Sequence, residues 1–290
     1  MNDAVILFRD ALQTTFGPLD WLPIPDGTIH RFHVPGDKDG TLNGWYVLYL
    51  DGIASGAFGS WKAGSSSTWN SREPASLREA EQVRQRIEQA RHQREAEQHQ
   101  RQQAAAVVAV RQWEQAPPAD HEHPYLIAKG CQPHALRQSG DVLLVPLYLG
   151  RALVNMQRIY PDGAKRFLSG GRVKGAHSPI GGPEPGAPLY VCEGWATGAT
   201  IHADTGAAVA CAMNAGNLKP VALALRTKYP DAEIVIAGDD DRQTVGNPGR
   251  TAATAAALAA GGLVVFPEWP DGAPPHLSDF NDLANWMTAQ

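Results

Sequence analysis

The amino-acid sequence predicts an α/β fold: a mostly parallel sheet flanked by helices, preceded by a small antiparallel β-rich module and a long charged helix. Three observations lead there. In the C-terminal half, short apolar, β-branched runs alternate with helical stretches, the pattern of a parallel sheet. Residues 1–73 instead hold aromatic strands separated by turn residues. Between these parts lies a run dense in Glu, Gln, Arg and Ala, with few apolar residues before Ala104.

The first module, 1–73, opens with a helix over Ala4–Phe16, where Ile6, Leu7, Ala11 and Leu12 recur at helical spacing. Strands follow at Thr28–Val34 and Trp45–Leu50, joined by the polar Gly36–Gly40 turn. Asp51-Gly52 is a hairpin signal leading to Ala57–Lys62, and Thr68-Trp69 extends the sheet. Trp45, Tyr46, Tyr49, Trp61 and Trp69 fill such a small core or stack on bases; core filling is the default for aromatics in a small sheet. Residues 74–118 form a charged helical linker, helical from Leu77 to about Gln115. It is one solvated helix or a hairpin broken near Gln100–Gln103. Its glutamates interleave with its arginines, which favours a spacer over a phosphate-binding strip. Pro117-Pro118 ends it.

Residues 119–290 form the main domain, with a basic N-terminal subregion at about 119–185. Strands are expected at Val142–Tyr148, Leu153–Ile159, Leu189–Cys192, Ala207–Ala210, Glu233–Ala237 and Leu263–Phe266, and helices at Gly194–Thr205, Leu218–Tyr229 and Gly249–Ala260. Ligands of such sheets gather at the carboxyl ends of the strands.

Composition narrows the classes. A formal charge of −5 over 290 residues argues against a general nucleic-acid coat while leaving room for a local basic groove. Cys131, Cys192 and Cys211 form no CxxC pair, which speaks against a zinc ribbon, and their scatter fits a reducing, cytoplasmic setting. His121 and His123, without cysteine or carboxylate support, belong to a polar linker rather than a zinc site. No charged-then-apolar leader opens the chain, and no apolar run is long enough to span a bilayer, so neither secretion nor a membrane partner is expected. There is no Walker A pattern.

The chemistry concentrates where strands end. Ile234–Ala237 runs into Gly238-Asp239-Asp240-Asp241, and Leu189–Cys192 runs into Glu193-Gly194. Neighbouring like charges repel, so such clusters call for a compensating cation. Carboxylates select hard ions, Mg²⁺ typically taking one or two of them together with phosphate oxygens. In extended backbone, Asp239 and Asp241 share one face and Asp240 points away. Asp279, in Ser278-Asp279-Phe280-Asn281-Asp282, is an outer metal ligand or the N-cap of the last helix. Arg158, Lys165, Arg166, Arg172 and Lys174, interleaved with glycines, form a cradle for phosphates or a solvated hairpin. Lys219, Arg242 and Arg250 either reach phosphates near the acidic strand ends or make surface pairs. Asn214 is an active-site contact or a plain helix start.

The glutamate after one strand and the Asp-x-Asp after a later one resemble the Toprim domain, with Glu193, Asp239 and Asp241 at the matching positions. Further segments look like the primases of conjugative plasmids and satellite phages: Gln157–Phe167, Gly170–Gly175, Glu193–Thr197, the Asn247-Pro248-Gly249 turn, Asp279–Asp282, and Asp26–Phe32 through Trp69. The resemblance implies a Toprim-like sheet and Mg²⁺- or Mn²⁺-dependent phosphoryl transfer. Glu193, Asp239 and Asp241 would be catalytic, joined by Asp279 as metal ligands. The primase group implies short primers made on a single-stranded DNA template from nucleoside triphosphates, with a replicative helicase as a further partner. A Toprim nuclease, in which water attacks, and a non-catalytic nucleic-acid-binding protein are the alternatives.

Overall fold

The computed structural model describes residues 3–290, which divide into two compact units at Gln100/Arg101. In the first, α1 (Asp3–Phe16) packs on an antiparallel sheet of β1 (His30–Phe32), β2 (Gly44–Tyr49), β3 (Ser55–Ser60) and β4 (Ser65–Asn70), in that order. Phe8 and Leu12 of α1 bury completely against Phe32, Tyr46, Leu48 and Phe58. The opposite face buries Trp45, Val47 and Ala57 against Ala90 of α2 (Leu77–Gln115). The aromatics therefore build the core. The long charged segment is one unbroken helix of 39 residues, so the hairpin alternative falls. The guanidiniums of Arg94 and Arg86 lie over the rings of Trp45 and Tyr49, at 5.2 and 6.0 Å.

The second unit layers two sheets. The antiparallel one has the order β5 (Arg137–Ser139), β6 (Val142–Leu149), β7 (Ala152–Ile159), β8 (Lys165–Phe167). Its α2-facing side buries Leu144 and Met156 against Ala109 and Ala116 of that helix. Its other side, with Leu143, Val145 and Ile159, shares a core with Tyr125 and Leu126 of α3 (Pro124–Lys129) and with Trp195 and Ala199 of α4 (Trp195–Thr205). His123 is buried rather than part of a polar linker. It caps α3 by accepting the Tyr125 N–H, and its Nε2 meets the Asp141 carbonyl.

The other sheet is mostly parallel. Its strands are β9 (Ser178–Ile180), β10 (Leu189–Cys192), β11 (Ala208–Cys211), β12 (Ile234–Ala237) and β13 (Leu263–Val265), in the order β13-β12-β10-β11-β9, with only β9 antiparallel. Helices α5 (Ala215–Lys228) and α6 (Pro248–Ala260) cover one face, while α4 and α7 (Phe280–Thr288) pack together in the other layer. From β10 the chain passes to β11 on one side, then crosses back to β12 on the other. The strand order therefore reverses between β10 and β12, where the crevice of an open α/β sheet lies. Short β5, β8 and β9 and helix α3 were not anticipated; three-residue strands carry too little periodicity to read.

Candidate active site

Cys192 lies opposite Ala237 in the β10–β12 ladder, so the loops carrying Glu193 and Asp239 leave the sheet side by side. Both side chains are half-buried. The Glu193 carboxylate accepts the Ala215 N–H at the start of α5. Burial first, and the Asp241 charge second, raise its pKa, against the opposing pull of that hydrogen bond and of Lys165. Asp239 is more extreme. Its Oδ1 is buried without a hydrogen-bond partner, and burial, reinforced by the charges of Glu193, Asp279, Asp241 and Asp282, pushes its carboxyl up to about 8.

The next two aspartates differ. Asp240 turns away from the crevice and is buried. Its Oδ1 accepts from Asn247 Nδ2 and Arg250 Nε, both at 2.7 Å, and its Oδ2 accepts from Trp269 Nε1 at 3.1 Å. Burial works against ionisation, but these donors outweigh it and hold the pKa below the carboxylate norm. Arg250 is thus paired, and Arg242 stacks 4.4 Å over Trp269 while donating to the Pro274 and Leu277 carbonyls. Asp241 Oδ2 accepts the Gly249 N–H at 2.8 Å, and its own N–H donates to Asn247 Oδ1. At Gly249 a Cβ would stand 2.6 Å from the Asp239 carbonyl and 2.9 Å from Asp241 Oδ2, so only glycine lets α6 start this close. Asp279 caps α7: Oδ1 accepts the Asp282 N–H at 2.8 Å and Oδ2 accepts the Thr197 hydroxyl at 3.1 Å. Both of its oxygens are engaged, although its charge still reaches Asp239 and Glu193.

The donor chemistry fits a hard divalent cation: a buried carboxylate oxygen without a donor sits beside a second half-buried carboxylate, in a negative field that holds a proton on Asp239 near neutrality. The carboxylates do not close into a finished cage. Among the described residues, no group of three or more His, Cys, Asp or Glu side chains is spaced to hold an ion as it stands. Asp241 instead turns one oxygen toward the Gly249 N–H.

The basic cluster divides. Lys165 pairs with Ile159 across β7–β8 and so shares the face that leads to the carboxylates. Its ammonium lies 5.6 Å from the Tyr125 ring centroid. Crowding by the surrounding protein, and then Lys129, lower its pKa, while Asp279, Asp239 and Glu193 raise it. Arg166 pairs with Arg158 on the opposite face, toward α2. Arg172 and Lys174 are exposed in the following loop, where Arg172 Nε donates to the Lys174 carbonyl. Lys219 is exposed on α5, and Asn214 occupies the N-cap position without a side-chain capping bond.

Two asparagines matter more than their sequence context suggested. Asn247, in a left-handed conformation at φ 41°, organises both Asp240 and Asp241. An Asn ahead of a Pro at a helix start does flag an N-cap. Buried Asn217 donates to the Val173, Ala176 and Ala212 carbonyls and accepts the Gly175 N–H, tying the basic loop to the end of β11. No local signal marks partners some forty positions away.

Comparison with known proteins agrees with this geometry. The Toprim domain family matches residues 188–287, the span of β10 through α7. Toprim domains generally bind divalent metal ions. Two proteins, both named DNA primase TraC and both from Escherichia coli, are each 40% identical to this chain, over 258 and 263 residues. The matches take in 84% and 86% of this chain but 18% and 25% of the relatives, so the chain spans about a fifth to a quarter of the length of the curated relatives it matches. No solved structure matches it. In crossover order, acidic strand ends and matched residues, residues 188–287 of this chain are similar to the Toprim domain family.

Proposed function

We propose that this protein is a DNA primase-like nucleotidyltransferase that makes short primers on single-stranded DNA for plasmid or phage replication. The observation that carries the reading is the pairing of Glu193 with the unpartnered Asp239 oxygen at the reversal point of the Toprim sheet. The similarity to DNA primase TraC supplies the substrate class.

Glu193, Asp239 and Asp241 would hold Mg²⁺ or Mn²⁺, with Asp279 adding negative charge behind them. Such an ion supplies neutralisation of phosphate charge and stabilises the attacking and leaving oxygens of an in-line displacement. The chain's own groups do the rest. Asp239 would hold the ion as its carboxylate, through the oxygen that has no donor. Asp240, clamped by Arg250, Asn247 and Trp269, fixes the loop so that its neighbours keep their positions. Lys165, on the carboxylate side, meets the anionic oxygens of a nucleoside triphosphate, and Arg172 and Lys174 meet template phosphates. Within the cytoplasm, a helicase would provide the single strand.

The test is direct: incubate the protein with single-stranded DNA, labelled nucleoside triphosphates and Mg²⁺ or Mn²⁺. Oligonucleotide products are expected, and Asp239→Asn reduces them by about 10²–10³-fold, the scale of losing a group that stabilises transition-state charge. Metal-dependent shortening of the DNA without synthesis overturns the reading in favour of nuclease chemistry. Lys165→Ala with Arg172→Ala is expected to weaken binding of single-stranded DNA and flatten its salt dependence.

A further inference from the structure

The α2-facing side of the antiparallel sheet poses an electrostatic problem. Arg158 and Arg166 stand directly opposite each other on β7 and β8, and like charges in that position destabilise a sheet. Among the described residues neither has a carboxylate within ion-pair distance. Arg158 is instead steadied by a 2.8 Å bond from Nη2 to Gln112 Oε1 of α2. The Arg166 guanidinium lies 5.7 Å from the Tyr160 ring centroid. Beside Arg158 opens a cleft of about 640 Å³, to which Tyr160, Gln112, Gln115 and Gln138 contribute and whose lining includes one carboxylate, Asp120. Its size is that of a small-molecule site. Gln138 is held by the Asp120 N–H and the Gly140 carbonyl, and Gln112 Oε1 by Arg158, which leaves the Gln112 Nε2 group and Gln115 to meet a base edge and the face of Tyr160 away from Arg166 to stack.

We infer that this cleft is a second nucleic-acid subsite, on the sheet face opposite Lys165, in which Arg158 and Arg166 clamp a phosphate of a single-stranded nucleic acid and the cleft receives the adjoining base. An anion between the guanidiniums turns a repulsive pair into a bidentate grip. A single strand is the occupant because a duplex keeps its bases stacked and cannot lend one to a cleft. The inference rests on the reading of this protein as acting on nucleic acid. It adds that template is held on a different face of the sheet from the one where phosphoryl transfer occurs.

The experiment is fluorescence anisotropy of a labelled single-stranded oligonucleotide with the full chain, in EDTA so that the carboxylate site is silent. Arg158→Gln with Arg166→Gln is expected to weaken binding at least tenfold and to make the log–log salt slope shallower by about 0.7, the share of the one phosphate the pair grips. Arg166→Glu alone, at an exposed position, gives the same direction without disturbing the Gln112 bond. Gln112→Ala is expected to weaken binding of the oligonucleotide more than that of an abasic strand of equal length. Unchanged affinity and slope in both arginine variants overturn the subsite, as does an equal loss on abasic and normal strands for Gln112→Ala. Tight binding without any primer synthesis removes the primase reading and leaves the subsite. Primer synthesis with unimpaired binding by the arginine variants does the reverse.

Discussion

Asp239 and Asp240 are chemically identical neighbours with opposite environments. One has a buried oxygen without a donor and a carboxyl pushed up to about 8; the other accepts from three side-chain donors and stays below the carboxylate norm. The sign of the consequence follows from linkage. A carboxyl whose folded pKa is raised leaves stability intact below its unfolded value, near about 4, and removes it as pH rises through the folded value. The metal-free protein should therefore lose on the order of a few kcal/mol between about pH 4 and pH 8. Thermal melts in EDTA across that range check this; Asp239→Asn should flatten the trend, and added Mg²⁺ should restore stability at pH 8. A slope unchanged in Asp239→Asn would show that burial at this carboxylate does not set it. Asn247→Ala strips a donor from Asp240 and an acceptor from Asp241. It should cost about 1–3 kcal/mol in denaturant unfolding and weaken the site's divalent affinity in calorimetry. The acidic residues were readable because carboxylates after apolar strands have few purely structural reasons to be there. Asp279 kept two readings, and the fold shows its capping contacts. The Asn247 clamp was not readable, since it depends on how one turn folds back on the loop before it.

At the scale of elements, Asn217 acts as a rivet between the basic loop and the mostly parallel sheet. Asn217→Ala leaves three carbonyls and one N–H in a buried region short of a partner. A loss of about 3 kcal/mol or more is expected, together with faster hydrogen exchange at Gly175, whose amide that side chain holds. Normal protection there would sink the rivet. Gly198 shows the same closeness in apolar form. A Cβ there would stand 2.3 Å from Cys211 Sγ and 3.1 Å from Cys192 Sγ, so α4 sits on the sheet at a distance only glycine allows. Most strands and helices were legible from period, because burial on one or both faces imposes it. The division of the basic cluster was partly encoded, since adjacent residues on a strand face opposite ways. Nothing local announced that Lys165–Phe167 would be a strand at all.

At the scale of the molecule, two units carry separate cores, one built on Phe8 and the aromatic sheet, the other on the two sheets around α4. Phe8 is fully buried, and Phe8→Ala should cost the first unit about 3–5 kcal/mol while divalent-ion binding by the carboxylate site stays within twofold in calorimetry. A matching loss of ion binding would mean the units do not fold independently. The sequence by itself determined the alternating α/β order, the long charged helix, the acidic strand ends and the similarity of residues 188–287 to Toprim domains, because each is written in local periodicity or a short run of residues. Only the tertiary structure decided that the strand order reverses between Glu193 and Asp239, that Asp240 serves the scaffold, and that Lys165 parts from Arg158 and Arg166. Those outcomes depend on which strands become neighbours and which faces meet, and neighbours across a sheet lie tens of residues apart along the chain.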